Sequence, residues 1–369
     1  MTPSLPRDAG GRVAPASRRL AVPIAACACL LASAPAPRAV AAECASGDAR
    51  FHKGFTLGGW SRDDYDDPRL DAQIAELARA GVEWVALTPR WMQQRTNSTE
   101  LAPHPERSPS DASVVRAIRA VRRHGMRVFL KPQVDVVADG WRGEIAFASE
   151  ADWAAWFRSY ARFALHYARL ARDEGVDLLS VGVELDATRH RERDWRELIA
   201  SLRPVFPRSL VYAANWGRER DVAWWDALDY AGVDAYFPLA SAPDPSLDAL
   251  RAAWLPHLRE LRAWAGRICK QVIFTELGYR SVRGASARPW EWEQAGPPAH
   301  DEQARLYRAA LDVFWEERWL GGLYWWQWRT APPHDAAADT DYTPQDKPAW
   351  SVLREFYARE APCVPAPCR

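Results

Sequence analysis

Leu178-Leu179-Ser180-Val181-Gly182-Val183-Glu184, an amphipathic stretch from Trp195 to Phe206, and Ser209-Leu210-Val211-Tyr212-Ala213-Ala214-Asn215 follow one another with only short polar joints. The first and third are short, β-branched and apolar, whereas the second repeats its apolar residues at the helical spacing. The same alternation runs along the chain. Strands are expected at Lys53 to Leu57, Val82 to Thr88, Met126 to Lys131, Ala231 to Tyr236, Gln271 to Glu276 and Gly321 to Trp326. Helices are expected at Asp71 to Ala80, Ala112 to His124, Glu150 to Asp173, Leu247 to Ala265, Glu302 to Trp319 and Pro348 to Arg359. Alternation of this kind without a break in composition predicts a single (β/α)8 TIM barrel of class α/β. An open doubly wound sheet is the alternative, but no glycine-rich phosphate loop follows the first strand.

Composition narrows the function. The 369 residues carry 48 Lys+Arg against 48 Asp+Glu, so there is no basic field to attract nucleic acid. The 20 Trp exceed what packing alone would use, and several stand beside Gly, Pro and polar residues, where flat faces suit sugar rings.

Catalytic groups of such barrels sit where strands end, so the polar residues there carry the chemistry. By strand alternation Ser180, Gly182 and Glu184 share the inward face, Lys131 goes with Gln133, Asp234 with Tyr236, and Trp326 with Trp328. Glu184 ends the fourth strand and Glu276 the seventh, across the mouth from one another. Two inward carboxyls about 5 to 5.5 Å apart can flank a glycosidic bond, one as nucleophile and the other as acid/base. Each alone could equally be a satisfied structural carboxylate. Lys131 lies inward and needs a carboxylate or a sugar hydroxyl beside it. Tyr236 is placed to hold Glu276, or else to bond a backbone carbonyl. Trp326 is the expected floor for a sugar. Trp60, Trp91, Trp141, Trp216 and Trp328 are expected platforms, and Trp153, Trp156, Trp254, Trp264 and Trp315 are expected in packing.

Six motifs fall at successive strand ends: Leu130-Lys131-Pro132-Gln133-Val134-Asp135, Trp141-Arg142-Gly143-Glu144-Ile145, Gly182-Val183-Glu184-Leu185, Tyr212-Ala213-Ala214-Asn215-Trp216, Thr275-Glu276-Leu277-Gly278-Tyr279 and Tyr324-Trp325-Trp326-Gln327-Trp328. In this order they resemble the clan A retaining glycoside hydrolases, and among them glycoside hydrolase family 113, over roughly His52 to Tyr357. The resemblance implies a β-1,4-mannanase with Glu184 as acid/base and Glu276 as nucleophile. It also implies that Arg90, after the second strand, orients the nucleophile, although a surface salt bridge is the alternative. The clan's Asn before the acid/base is here Val183, so the contact to the sugar 2-hydroxyl must come from elsewhere, and Asn215 is a candidate. The resemblance implies a polysaccharide or oligosaccharide substrate. Another β-glycan or an envelope glycan, or a non-catalytic carbohydrate-binding barrel, are the competing readings.

Arg18 and Arg19 precede an apolar run from Leu20 to Ala32, and Ala39-Val40-Ala41 has the form of a signal-peptidase site. Residues 1–42 are therefore expected to be a signal peptide and 43–369 one hydrolase domain with its core at 51–360. The product would be secreted or periplasmic, with lipoprotein or twin-arginine export as variants, no transmembrane span after processing, and a monomeric state. Cys44, Cys269, Cys363 and Cys368 remain after processing and are expected to form disulfides at the face opposite the active site. No metal site or cofactor is expected.

Overall fold

In the computed structural model, residues 49–365 are described, apart from 139 and 241–243. The expected signal segment, Cys44 and Cys368 lie outside them. Eight parallel strands close into a barrel in sequence order. They are β1 (His52–Gly58), β2 (Trp84–Thr88), β3 (Arg127–Leu130), β4 (Leu178–Val183), β5 (Ser209–Asn215), β6 (Tyr230–Asp234), β7 (Gln271–Leu277) and β8 (Leu320–Trp328). Helices α1 (Leu70–Arg79), α2 (Asp111–Arg123), α3 (Glu150–Asp173), α4 (Glu192–Leu202), α5 (Leu247–Ile268), α6 (His300–Phe314) and α7 (Pro348–Tyr357) return the chain between strands or follow the last. The alternation lapses once. Between β5 and β6 the chain makes only two 3-10 turns, Glu219–Asp221 and Trp225–Ala227. The serines Ser110, Ser149 and Ser246 cap α2, α3 and α5 by accepting a bond from a first-turn N–H, which fixes where each helix starts.

The barrel interior is filled by alternate residues of the strands. Trp84, Phe129, Leu178, Val211, Ile273 and Tyr324 form its apolar lower part. Gly54 is required there, because a Cβ at that position would stand 2.4 Å from the Tyr324 ring. Toward the strand ends the filling turns polar, with Thr56, Thr88, Lys131, Asp234 and Thr275 all fully buried. This switch from apolar to charged packing positions the site. The larger core lies between barrel and helices. Trp156, Trp195, Trp224, Trp254, Trp325 and Trp328 are fully buried, so much of the tryptophan excess is packing after all.

The chain enters and leaves side by side. Ala49–Arg50 pairs antiparallel with Cys363–Val364, and the Gln271 side chain, opening β7, donates to the carbonyls of Val364 and Pro365. Cys269 caps α5 in the left-handed region immediately before β7. Cys269 and Cys363 therefore both lie at the face where strands begin. Neither is without a partner.

Candidate active site

Both glutamates reach the mouth through interruptions of the strand ladder rather than through simple alternation. In β4 the register against β5 shifts between Ser180 and Gly182. Gly182 consequently faces the outer layer, where a Cβ would stand 2.8 Å from Trp195 and 2.9 Å from Tyr212. Glu184 then takes a left-handed φ of 53° while its N–H continues the ladder to the Ala213 carbonyl at 2.8 Å. In β7 Thr275 points inward, its Oγ1 bonded to Asp234 at 2.7 Å. Alternation would send Glu276 outward, but β7 shifts register against β6 between Phe274 and Glu276, and Glu276 also turns to the mouth. Such shifts re-aim a side chain without changing its strand.

Glu276 is held by three donors. Lys131 Nζ lies 2.5 Å from its Oε1, Gln133 Nε2 3.5 Å from the same oxygen, and the Tyr236 hydroxyl donates to its Oε2 at 2.8 Å. Lys131 also reaches Asp234 at 3.1 Å. Burial opposes the Lys131 cation, yet Asp234 and Glu276 hold its pKa above the ordinary lysine value. Asp234 is pushed up to about 7, by burial and then by the charge of Glu276.

Glu184 has a different environment. Its nearest cation is Arg142, at 3.7 Å. Burial, and then the charges of Asp234 and Glu276, push its carboxyl up to about 8. Arg142 is shared with Asp135 at 3.5 Å. Asp135 in turn receives Arg90 at 2.8 Å, and the two guanidiniums outweigh its burial and hold it below the ordinary carboxylate range. Arg90 and Asp135 meet because a small parallel sheet, Arg90–Gln93 with Gln133–Val136, carries the chain outward beyond β2 and β3.

Arg90 thus belongs to another task than the one the resemblance implied. Its guanidinium donates to Asp135, to the Trp60 carbonyl and to the Arg107 carbonyl, and the cation on Glu276 is Lys131. It also stacks on the Trp60 ring, 4.8 Å from the centroid. Trp60 meets Trp326 edge to face at 5.3 Å and donates from its indole N–H to Gln327 at 3.1 Å. These rings form one aromatic side of the mouth. Asn215 directs its amide to Asp186 at 3.4 Å. Trp141 is 41 % exposed in the loop that carries Arg142.

Trp328 and Trp91 are not platforms. The register of β8 against β1 is irregular between Trp325 and Trp328, so Trp328 does not share the face of Trp326 and packs instead against Phe55 and Trp350. Trp91 lies against Phe163 and His166 of α3. Sequence reasoning passed over Trp290 and Trp292, which are 40 % and 72 % exposed. Trp290 lies 5.0 Å from Trp216, centroid to centroid. It passed over Arg142 and Asp234 as site residues as well. The pairing of Asp234 with Tyr236 on one face was the available signal for the latter.

A parallel eight-stranded barrel whose mouth gathers two end-of-strand glutamates, one gripped by a lysine and a tyrosine and the other kept in a buried acidic surrounding, has the build of a glycoside hydrolase. The profile of Glycoside Hydrolase Family 113 matches residues 55–347, and the chain belongs to that family. A solved GH113 β-mannanase from Alicyclobacillus acidocaldarius, in complex with ManMIm, is 30 % identical, with 84 % of this chain and 97 % of that one covered and a TM-score of 0.77. A GH113 β-1,4-mannanase solved as a complex is 27 % identical over 84 % of this chain and 100 % of its own, also at a TM-score of 0.77. A family 5 mannosidase from Rhizomucor miehei, 12 % identical with a TM-score of 0.56, shares the fold. No curated protein matches. The non-catalytic barrel reading falls with the family assignment. Among the described residues no helix is long and apolar enough to cross a membrane.

Proposed function

We propose that this hydrolase cleaves β-1,4-linked mannan by double displacement with retention. Glu276 is the nucleophile and Glu184 the acid/base. The observation that carries the assignment is the opposed surroundings of the two carboxyls. Every described polar contact to Glu276 comes from a donor, Lys131, Gln133 or Tyr236, as suits an attacking carboxylate. Glu184, raised to about 8 by burial and by the charges of Asp234 and Glu276, keeps its proton at neutral pH, as a general acid must. After departure of the leaving group the same residue, now ionised, takes a proton from water. The likeness to two solved GH113 mannanases supports mannan as the polymer. Trp60 and Trp326 offer faces for the sugar beside the reacting bond, and Asn215 lies at the end of β5 for a hydroxyl contact.

Export and processing belong to the same reading: 1–42 is a signal peptide and 43–369 the hydrolase domain. The placement of Cys269 and Cys363 together at the face where the strands begin supports disulfides there, and with them an oxidising compartment. The test is to assay the processed chain on mannan, glucomannan, xylan and mixed-linkage glucan, with the anomer first released followed by NMR. Mannan cleavage giving the β-anomer, abolished by Glu276→Ala in a folded protein, is expected. Release of the α-anomer would overturn the mechanism, and preference for xylan or glucan would overturn the substrate.

A further inference from the structure

We propose that Asp234 is a positioning residue whose negative charge compensates Lys131 when Glu276 becomes esterified to the sugar. The inference rests on the double displacement proposed above.

In the first step a Glu276 oxygen bonds to the anomeric carbon. The glycosidic C–O bond breaks with its electron pair leaving on oxygen, and that oxygen takes the Glu184 proton. One negative charge therefore disappears at Glu276 and appears at Glu184. The total is unchanged, but the charge has crossed the mouth. Its departure strands a cation. Lys131 is fully buried and carries its ammonium between Glu276 at 2.5 Å and Asp234 at 3.1 Å. Once Glu276 is an uncharged ester, Asp234 is the carboxylate left in contact with that ammonium.

The receiving side is built in parallel. Arg142, already shared with Asp135, stands 3.7 Å from Glu184 and meets the new charge there. Each of the two cations thus has a second carboxyl partner that does no chemistry, Asp234 for Lys131 and Asp135 for Arg142. Asp234 is itself fully buried and fixed by the Thr275 hydroxyl at 2.7 Å. The other groups that bear on it electrostatically are Glu276, Glu184, Arg142 and Tyr236. The charge of Glu276 is one cause of its raised pKa, so esterifying Glu276 removes that cause and favours ionised Asp234 when it is needed.

The probe is a 2,4-dinitrophenyl 2-deoxy-2-fluoro-β-mannobioside, whose good leaving group needs no acid and whose fluorine slows release of the adduct. Intact-mass measurements give the rates of adduct formation and loss, and peptide mapping gives its position. Wild type is expected to label at Glu276. In Asp234→Asn the adduct should form more slowly and be lost faster, with inhibitor binding little changed, the two rates together moving by about 100-fold, as an unpaired buried charge of about 3 kcal/mol gives. A merely structural lesion would slow both steps. Equal rates in wild type and Asp234→Asn, or both slowed, would overturn the inference alone. An unlabelled wild type would overturn the double displacement and the inference with it. Lys131→Met and Lys131→Met/Asp234→Asn serve if the single Asp234 variant fails to fold. With the cation gone, adding Asp234→Asn should not slow labelling further, and a slower double variant would overturn the role.

Discussion

Arg142→Met isolates the part of the site that sets the working pH. The side chains of Arg142 and Glu184 are only 12 % and 16 % exposed, and their charges stand 3.7 Å apart. At that distance one unit charge acts on another with about 1 kcal/mol in a water-like surrounding and about 4.5 kcal/mol at an effective dielectric constant near 20. The corresponding change in the Glu184 pKa is about 1 to 3 units upward. Methionine keeps the reach and removes the charge. Asp135 is not stranded, because Arg90 remains at 2.8 Å. Glu184 begins at about 8, and as the acid it must be protonated in the free enzyme. The alkaline limb of kcat/KM, which reports free-enzyme groups, should therefore move from near pH 8 to above about pH 9. Initial rates on a soluble manno-oligosaccharide across the range, with melting temperatures at each pH to exclude unfolding, measure this. An alkaline limb that stays in place or moves to lower pH would refute the assignment of that limb to Glu184 beside Arg142.

Glu184→Gln should stabilise the fold at neutral pH while abolishing acid catalysis. A carboxyl raised from 4.5 to about 8 takes up a proton on folding between those values, which costs of order 3 kcal/mol at pH 7. The melting-temperature gain should be absent below about pH 4.5, grow with pH and level off above about pH 8. Trp290→Ala, which opens the Trp216 pair, should lower kcat/KM on long manno-oligosaccharides several-fold and leave the shortest cleavable substrate unchanged, because sugar stacking adds binding only where a ring reaches it. Reduction of the proposed disulfides should lower the melting temperature yet leave turnover at low temperature intact, since Cys269 and Cys363 lie at the strand starts. Loss of turnover without loss of fold would contradict that separation.

The barrel was legible because each strand is a short apolar run bounded by polar joints, and because the interior obeys a period of two within strands, Phe129 with Lys131 and Ile273 with Thr275. The places where that period fails were not legible. Nothing in Gly182-Val183-Glu184 or Thr275-Glu276-Leu277 announces a register shift, since a shift arises from how the neighbouring strand is held and not from residue preference. Alternation therefore reached the right end of β4 by an incomplete route, and it misplaced Trp328. Lys131 was readable because a buried ammonium demands an anion. That its anions are two, Glu276 and Asp234, required the juxtaposition of β3, β6 and β7. The missing helix after β5 had a local cause that was visible: the stretch from Trp216 to Leu228 has no sustained helical period.

Pairing of Ala49–Arg50 with Cys363–Val364 sets these two short strands, the first and last among the described residues, about 5 Å apart, the spacing of neighbouring strands, on the side away from the mouth. The domain is for that reason suited to circular permutation. A short bridge from Val364 to Ala49 would close the ring, and a new opening in an exposed loop would leave every barrel strand whole. By the same geometry, a surface support or a fused partner attached at either of these strands would hold the barrel with its mouth facing outward, open along its whole width to a polymer too large to diffuse around an obstruction.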